Sequence, residues 1–175
     1  MVAYHDDEWG VPVDDDQRLF EMLSLEGFQA GLSWQTILRK RENFRRAFGD
    51  FVPELVAAFD DDDRARLMAD AGIVRNRAKI DSTIGNAQAL LALTEEEKSF
   101  HAYLKRMVPT SRALPADITV EQLTATTPDS DALSRDLKKR GFRFVGSTIV
   151  YSFMESVGLV DDHMPYCFRY RGQHG

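Results

Sequence analysis

The sequence predicts an all-α fold, an irregular bundle of short helices. Three observations predict it. Apolar residues recur at the helical period along nearly the whole chain. Strand-like alternation is nowhere sustained. Capping residues, first-turn prolines and terminal glycines fall where the helical pattern starts and stops. The 175 residues are 43% hydrophobic, which suits a single domain over 1–175, either one compact body or two small lobes around a cleft. Repeats, low-complexity tracts and Gly/Ser linkers are absent from the sequence.

Taken in order, Leu19, Phe20 and Leu23 mark a short helix behind the acidic run Asp14-Asp15-Asp16, whose carboxylates suit a helix N-terminus. Ser33 caps the next helix, where Trp34, Ile37, Leu38, Phe44 and Phe48 keep the period. Pro53 opens another as a first-turn proline, and 61–70 forms a short one. A longer helix runs from Arg75 to Leu93, with Ile80, Ile84, Ala87, Leu90 and Leu91 at helical spacing, and a short one covers 100–108. Residues 109–115 read as a loop and 119–123 as a turn or two of helix. Pro128 starts a helix that Gly141 stops. Residues 144–157 are the most apolar segment and read as the buried central helix, ended by Gly158.

The formal net charge is −6, which by itself argues against a nucleic-acid partner. The distribution argues the other way. Base gathers at Arg39-Lys40-Arg41 with Arg45-Arg46, at Arg75, Arg77 and Lys79, and at Lys138-Lys139-Arg140 with Arg143. Any one run is ordinarily a solvated helix face. Three on an acidic chain can build one positive surface. No apolar run approaches the ~20 residues of a membrane span, so no membrane partner is expected. The N-terminus lacks signal-peptide features and Cys167 is the only cysteine, so a cytoplasmic location is expected. A monomer is the default.

Residues 61–70, Ala71-Gly72-Ile73-Val74 and Arg75 onward read as helix, tight turn, helix. Gly72 is expected to supply a positive φ. The free N–H groups at the second helix start can hold a DNA phosphate, with Arg75, Arg77 and Lys79 adding charge. A helix-hairpin-helix motif usually has a second glycine two residues on, where this chain has Val74.

Tyr4, His5, Asp6, Asp7, Glu8 and Trp9 are packed into six residues. Glu26 sits between apolar neighbours and beside Gly27, and Trp34 follows. A lone glutamate is ordinarily solvated and a lone tryptophan ordinarily core. Together, aromatic faces and one carboxylate suit a planar cationic base, and methylation at N3 makes adenine positive. A cation over a ring gains roughly 0.5–2 kcal/mol, and a carboxylate in a dry site adds attraction that neutral adenine lacks. His163 and Cys167 form an H-x3-C pair able to converge on one ion, with His5 as a third donor and His174 or a water as a fourth.

These segments together resemble the helix-hairpin-helix DNA glycosylases, specifically the methyladenine glycosylase I family. The resemblance covers almost the whole chain. It is carried by Tyr4-His5-Asp6-Asp7-Glu8-Trp9-Gly10, Leu25-Glu26-Gly27, Gln29-Ala30-Gly31-Leu32-Ser33-Trp34, Ala71-Gly72-Ile73-Val74-Arg75 and Ile84-Gly85-Asn86-Ala87. It continues through Leu137-Lys138-Lys139-Arg140-Gly141-Phe142 and Tyr151-Ser152-Phe153-Met154 to Asp162-His163.

The resemblance implies a monofunctional glycosylase that flips 3-methyladenine out of double-stranded alkylated DNA and hydrolyses its N-glycosidic bond. It implies Glu26 as the essential carboxylate, Tyr4 bonding the base and Trp34 stacking on it, with Trp9 and Ser152 nearby. Gly31 and Leu32 are the loop that fills the gap in the duplex. A structural zinc on His5, His163 and Cys167 is implied, and no redox cofactor. Relatives carry residues ahead of the Tyr-His pair that include a fourth zinc ligand and a tryptophan by the pocket. The sequence read here starts at Met1, three residues before Tyr4. The family also lacks the water-activating aspartate of its superfamily, consistent with a cationic base that leaves readily. The competing readings are a lesion-binding module without turnover and a purely structural helical domain.

Overall fold

The computed structural model describes residues 1–109 and 113–170. Among them lie nine α-helices and no strand: α1 (Val2–Asp7), α2 (Asp16–Gln29), α3 (Trp34–Ala47), α4 (Pro53–Ala57), α5 (Asp61–Ala69), α6 (Arg77–Glu96), α7 (Phe100–Met107), α8 (Pro128–Lys139) and α9 (Ser147–Ser156). The predicted all-α bundle is what forms. Short 3-10 turns occupy Gly49–Phe51 and Val120–Gln122.

The sequence signals act where they were read. The Ser33 side chain accepts from Thr36 N–H, Asp15 accepts from Arg18 N–H, and Pro53 and Pro128 sit in first turns. Asp16 does more than begin its own helix. Its two oxygens accept from Phe100 and His101 N–H at 2.8 and 2.9 Å, so it caps α7 from 84 residues away.

Several boundaries differ from the sequence reading. α1 forms where only a residue cluster was read. α2 runs on through Gly27 to Gln29, because Leu25 and Phe28 are fully buried and their packing outweighs the helix cost of one glycine, roughly 1 kcal/mol. α9 begins three residues later than expected, because Phe144 takes φ +53° and cannot be helical.

One continuous core joins Tyr4 and Leu19 near the N-terminus to Val157, Leu159 and Val160 near the C-terminus. α2 is its axle: ten of its residues are buried, and it packs on α3, α6, α7 and α9. Glu26 is therefore carried on the most enclosed helix of the fold. α9 is buried against α2 and α8, as a central helix should be.

Candidate active site

A cavity of about 310 Å³ opens between α1, the C-terminal end of α2, the start of α3 and α9. Its lining includes Tyr4, Trp9, Glu26, Trp34 and Ser152, so the five pocket residues read from sequence converge on one space. Gln29 and Glu155 join them and were not anticipated. Ser152 and Glu155 lie three apart on α9, one face of a helix. An acid on the pocket face of the most apolar helix was the available signal.

Glu26 is 5% exposed and faces rings rather than bulk water. Burial, then repulsion from Glu155, pushes its carboxyl up to about 8. Glu155 is likewise pushed up to about 8, by burial first and then by Asp162. No lysine or arginine is among the lining residues, and His5 is the one imidazole there. Burial thus favours the protonated form of Glu26 in the free protein, and a cation entering the pocket would draw the proton off.

Tyr4 and Trp34 approach with ring centroids 5.6 Å apart at 54°. A base sandwiched by two rings needs about 7 Å between them. The base therefore cannot lie between Tyr4 and Trp34 as a sandwich in this arrangement; it can stack on one ring with the other at its edge. Tyr4 Oη and Trp34 Nε1 are both buried without a hydrogen-bond partner, leaving two donors for a ligand. Burial, reinforced by Glu26 and Glu8, raises the Tyr4 phenol well above its usual range, so it stays protonated and donates.

Beside the cavity, His5, His163 and Cys167 place their donor atoms within 4.8 Å of one another. His5 Nε2 and Cys167 Sγ are 3.5 Å apart. Each imidazole is bound through Nδ1 to a carboxylate, His5 to Asp6 at 2.8 Å and His163 to Asp161 at 2.7 Å. His163 Nε2 is buried and unpartnered. This is the arrangement that orients histidines toward a metal. His174 lies outside the described residues.

The hairpin at Gly72 corrects two expectations. Gly72 does not have a positive φ. Glycine is needed there for space: a Cβ would come within 2.8 Å of Asp70 Oδ1 and 3.2 Å of Asn43. Gly72 N–H donates to Asp70 and its carbonyl accepts from Lys40 and Asn43, so the turn is bonded inward. The helix begins at Arg77 rather than Arg75, and the Asn76 side chain caps it by accepting from Lys79 N–H.

Lys79 also leaves the basic face. It is 7% exposed, and its ammonium donates to the carbonyls of Phe28 and Ala30. Arg75 and Arg77 stay exposed, Arg77 pairing with Asp81. The other basic runs are similarly committed in part. Arg41 binds Glu8, Arg45 binds Glu21, and Arg140 binds Asp136 and Glu96.

The start of α9 is different. Gly146 offers it no side-chain cap, and Arg143 and Phe144 are exposed just before it. Phe144 lies over Gly27, next to Glu26. Leu32 is 39% exposed at the tip after α2, where Gly31 has φ +80°.

The comparisons agree with this geometry. Residues 1–170 match the methyladenine glycosylase family model. The chain is 50% identical over 171 residues to DNA-3-methyladenine glycosylase 1 of Escherichia coli (strain K12), covering 98% of this chain and 91% of that protein. It is 43% identical to DNA-3-methyladenine glycosylase of Haemophilus influenzae, covering 95% and 90%. A crystal structure of 3-methyladenine DNA glycosylase I superposes with a TM-score of 0.91 at 48% identity, covering 97% of this chain and 93% of that one. The Staphylococcus aureus enzyme, solved for its recognition of 3-methyladenine, gives 0.90 at 38%, covering 95% and 88%. This chain belongs to the methyladenine glycosylase family.

Proposed function

We infer that this protein excises 3-methyladenine from alkylated DNA by hydrolysing the N-glycosidic bond, leaving an abasic site. The observation that carries it is Glu26, buried in an aromatic cavity that no lysine or arginine lines. A buried carboxyl kept free of arginine or lysine has its charge available for a cationic ligand. The lesion base flips into the cavity, stacks on Trp34, and takes a hydrogen bond from Tyr4. Its positive charge is matched by Glu26 as that group ionises.

The methylated base leaves with the electron pair of the glycosidic bond, and a water adds its oxygen to C1′ of the sugar and gives up a proton. No lysine lines the cavity among the described residues, which supports hydrolysis without strand cleavage.

The DNA-contacting elements follow from the two hairpins. The α6 start is closed by Asn76, whereas the α9 start is uncapped and flanked by exposed Arg143. The α9 end suits a DNA phosphate better, with Arg75 and Arg77 in an auxiliary role. The tip with Gly31 and Leu32 fits the gap left by the flipped base.

A structural zinc held by His5, His163 and Cys167 belongs to the same reading, supported by the carboxylate-bound imidazoles and the unpartnered His163 Nε2. Bound there, zinc would tie α1 to the C-terminal segment and so fix Tyr4. Chromatography of bases released from methylated duplex tests the central reading. Release of 3-methyladenine supports it, and methylated-DNA binding without release would leave a recognition module instead.

A further inference from the structure

Lys79 and Asn86 are buried polar side chains two turns apart on α6, at 7% and 5% exposure. Neither lines the base cavity. Each spends its side-chain hydrogen bonds on the backbone of a segment distant in sequence rather than on its own helix.

Lys79 Nζ donates to Phe28 O at 2.8 Å and Ala30 O at 2.6 Å. These carbonyls lie at the end of α2, where a helix runs out of partners and its dipole favours a cation. Just beyond them the chain turns at Gly31 and exposes Leu32. Gln29 closes that turn, its side-chain amide donating to Leu32 O. The tip thus hangs from the Lys79 ammonium. A buried lysine without a carboxylate is costly, and a capped helix end with a presented tip is what the cost supports.

Asn86 clamps the other tip at two points. Its Nδ2 donates to Arg143 O at 2.9 Å, and its Oδ1 accepts from Arg143 N–H at 2.8 Å. The next residue is Phe144, in the left-handed region and 37% exposed. The Arg143 guanidinium returns to α6 as well, donating to Asp81 O. Positions 79 and 86 are about 10.5 Å apart along a helix axis.

We propose that α6 is the gauge for the duplex-facing surface: Lys79 and Asn86 are positioning residues that hold the Ala30–Ser33 tip and the Arg143–Phe144 tip at one fixed separation. This rests on the reading that both tips meet DNA. No residue lining the base pocket lies within either tip, so loosening either tip costs excision from duplex while leaving the pocket able to take free base.

Single-turnover excision from methylated duplex, binding of free 3-methyladenine followed by tryptophan fluorescence, and thermal melting are measured on the full chain. Lys79→Met and Asn86→Ala are each expected to slow excision about tenfold, the scale of one or two lost hydrogen bonds. Free-base affinity should stay within about twofold, and Lys79→Arg, which keeps a cationic donor, should recover most of the rate. Sites this far apart ordinarily combine multiplicatively. A shared spacing predicts otherwise: the double variant should lose clearly less than the product of the two.

Parallel loss of free-base binding, a fully multiplicative double variant, or unchanged excision would each overturn the gauge. If Lys79→Met does not fold, Asn86→Asp, which keeps the acceptor but not the donor, carries the test with an intermediate loss expected. Leu32→Ala and Phe144→Ala excising at the parental rate would remove the DNA-contact reading of the tips. A parent chain that releases no base would instead remove the proposed function.

Discussion

Two glutamates flank Tyr4 and live opposite lives. Glu8 is gripped by Arg41 at 2.6 and 2.9 Å and by Arg18 at 2.8 Å. Its neighbour Glu21 is bound by Arg18 and Arg45 in the same network. The Arg41 hydrogen bonds hold the Glu8 carboxyl below its usual range. Glu26 has no such partner and is pushed the other way, with Glu155 beside it adding repulsion. One set of carboxylates is neutralised by the fold and fastens α1 to α2 and α3. The other is left without an arginine or lysine partner inside a ring-lined cavity. The lesson is that a charge kept out of the structural ledger is available for a ligand that brings the opposite charge.

The largest effect expected is at Glu26. Glu26→Gln keeps size and hydrogen bonding but cannot ionise. Excision should fall about 100-fold, the scale for removing one electrostatic stabiliser from a dry site. The melting temperature should hold or rise, because the variant no longer buries an ionisable group.

The second effect is on pH. A carboxyl raised from 4.5 to about 8 in the folded state stabilises the fold fully below 4.5, and that contribution is lost as pH rises through about 8. Excision should climb over the same interval, since ionised Glu26 is the form that holds the cation. Titrating melting temperature and rate together checks both signs. Glu26→Gln should flatten its share of each, and parallel slopes in parent and variant would break the comparison.

Third, Glu8→Gln should cost stability, about 1–2 kcal/mol after allowing for its partial exposure, while the chemistry survives. Its depressed carboxyl stabilises the fold above the unfolded value, and acid removes that contribution. In denaturant melts the difference between parent and variant should be full at pH 7 and shrink progressively as pH falls below 4.5. The smallest effect is a chelator's. On the proposed zinc site of His5, His163 and Cys167, a chelator should lower the melting temperature and weaken base binding through Tyr4, with His163→Ala insensitive to chelation.

Much of this site was legible before any coordinates. Tyr4, Trp9, Glu26, Trp34 and Ser152 were separated by up to 148 positions, yet an aromatic-acidic pattern and a family resemblance selected them, and they share one cavity. Glu155 was missed because an acid near a helix end reads as solvated; only the packing of α9 on α2 turns it inward. Lys79 was misread for the complementary reason. A lysine beside two arginines looks like surface charge, and nothing local shows that the end of α2 arrives to accept its hydrogen bonds. Gly72 reads in sequence as a turn glycine with positive φ, whereas the structure needs it for space, and its crowding by Asp70 and Asn43 is a tertiary fact. Phe144 shortened α9 through a backbone conformation that its residue type disfavours.

The most direct test of the account is single-turnover release of 3-methyladenine from methylated duplex by the parent chain and by Glu26→Gln, at matched folded fraction. The account predicts brisk release by the parent and a loss of about two orders of magnitude in the folded variant. Release by Glu26→Gln at the parental rate would contradict it.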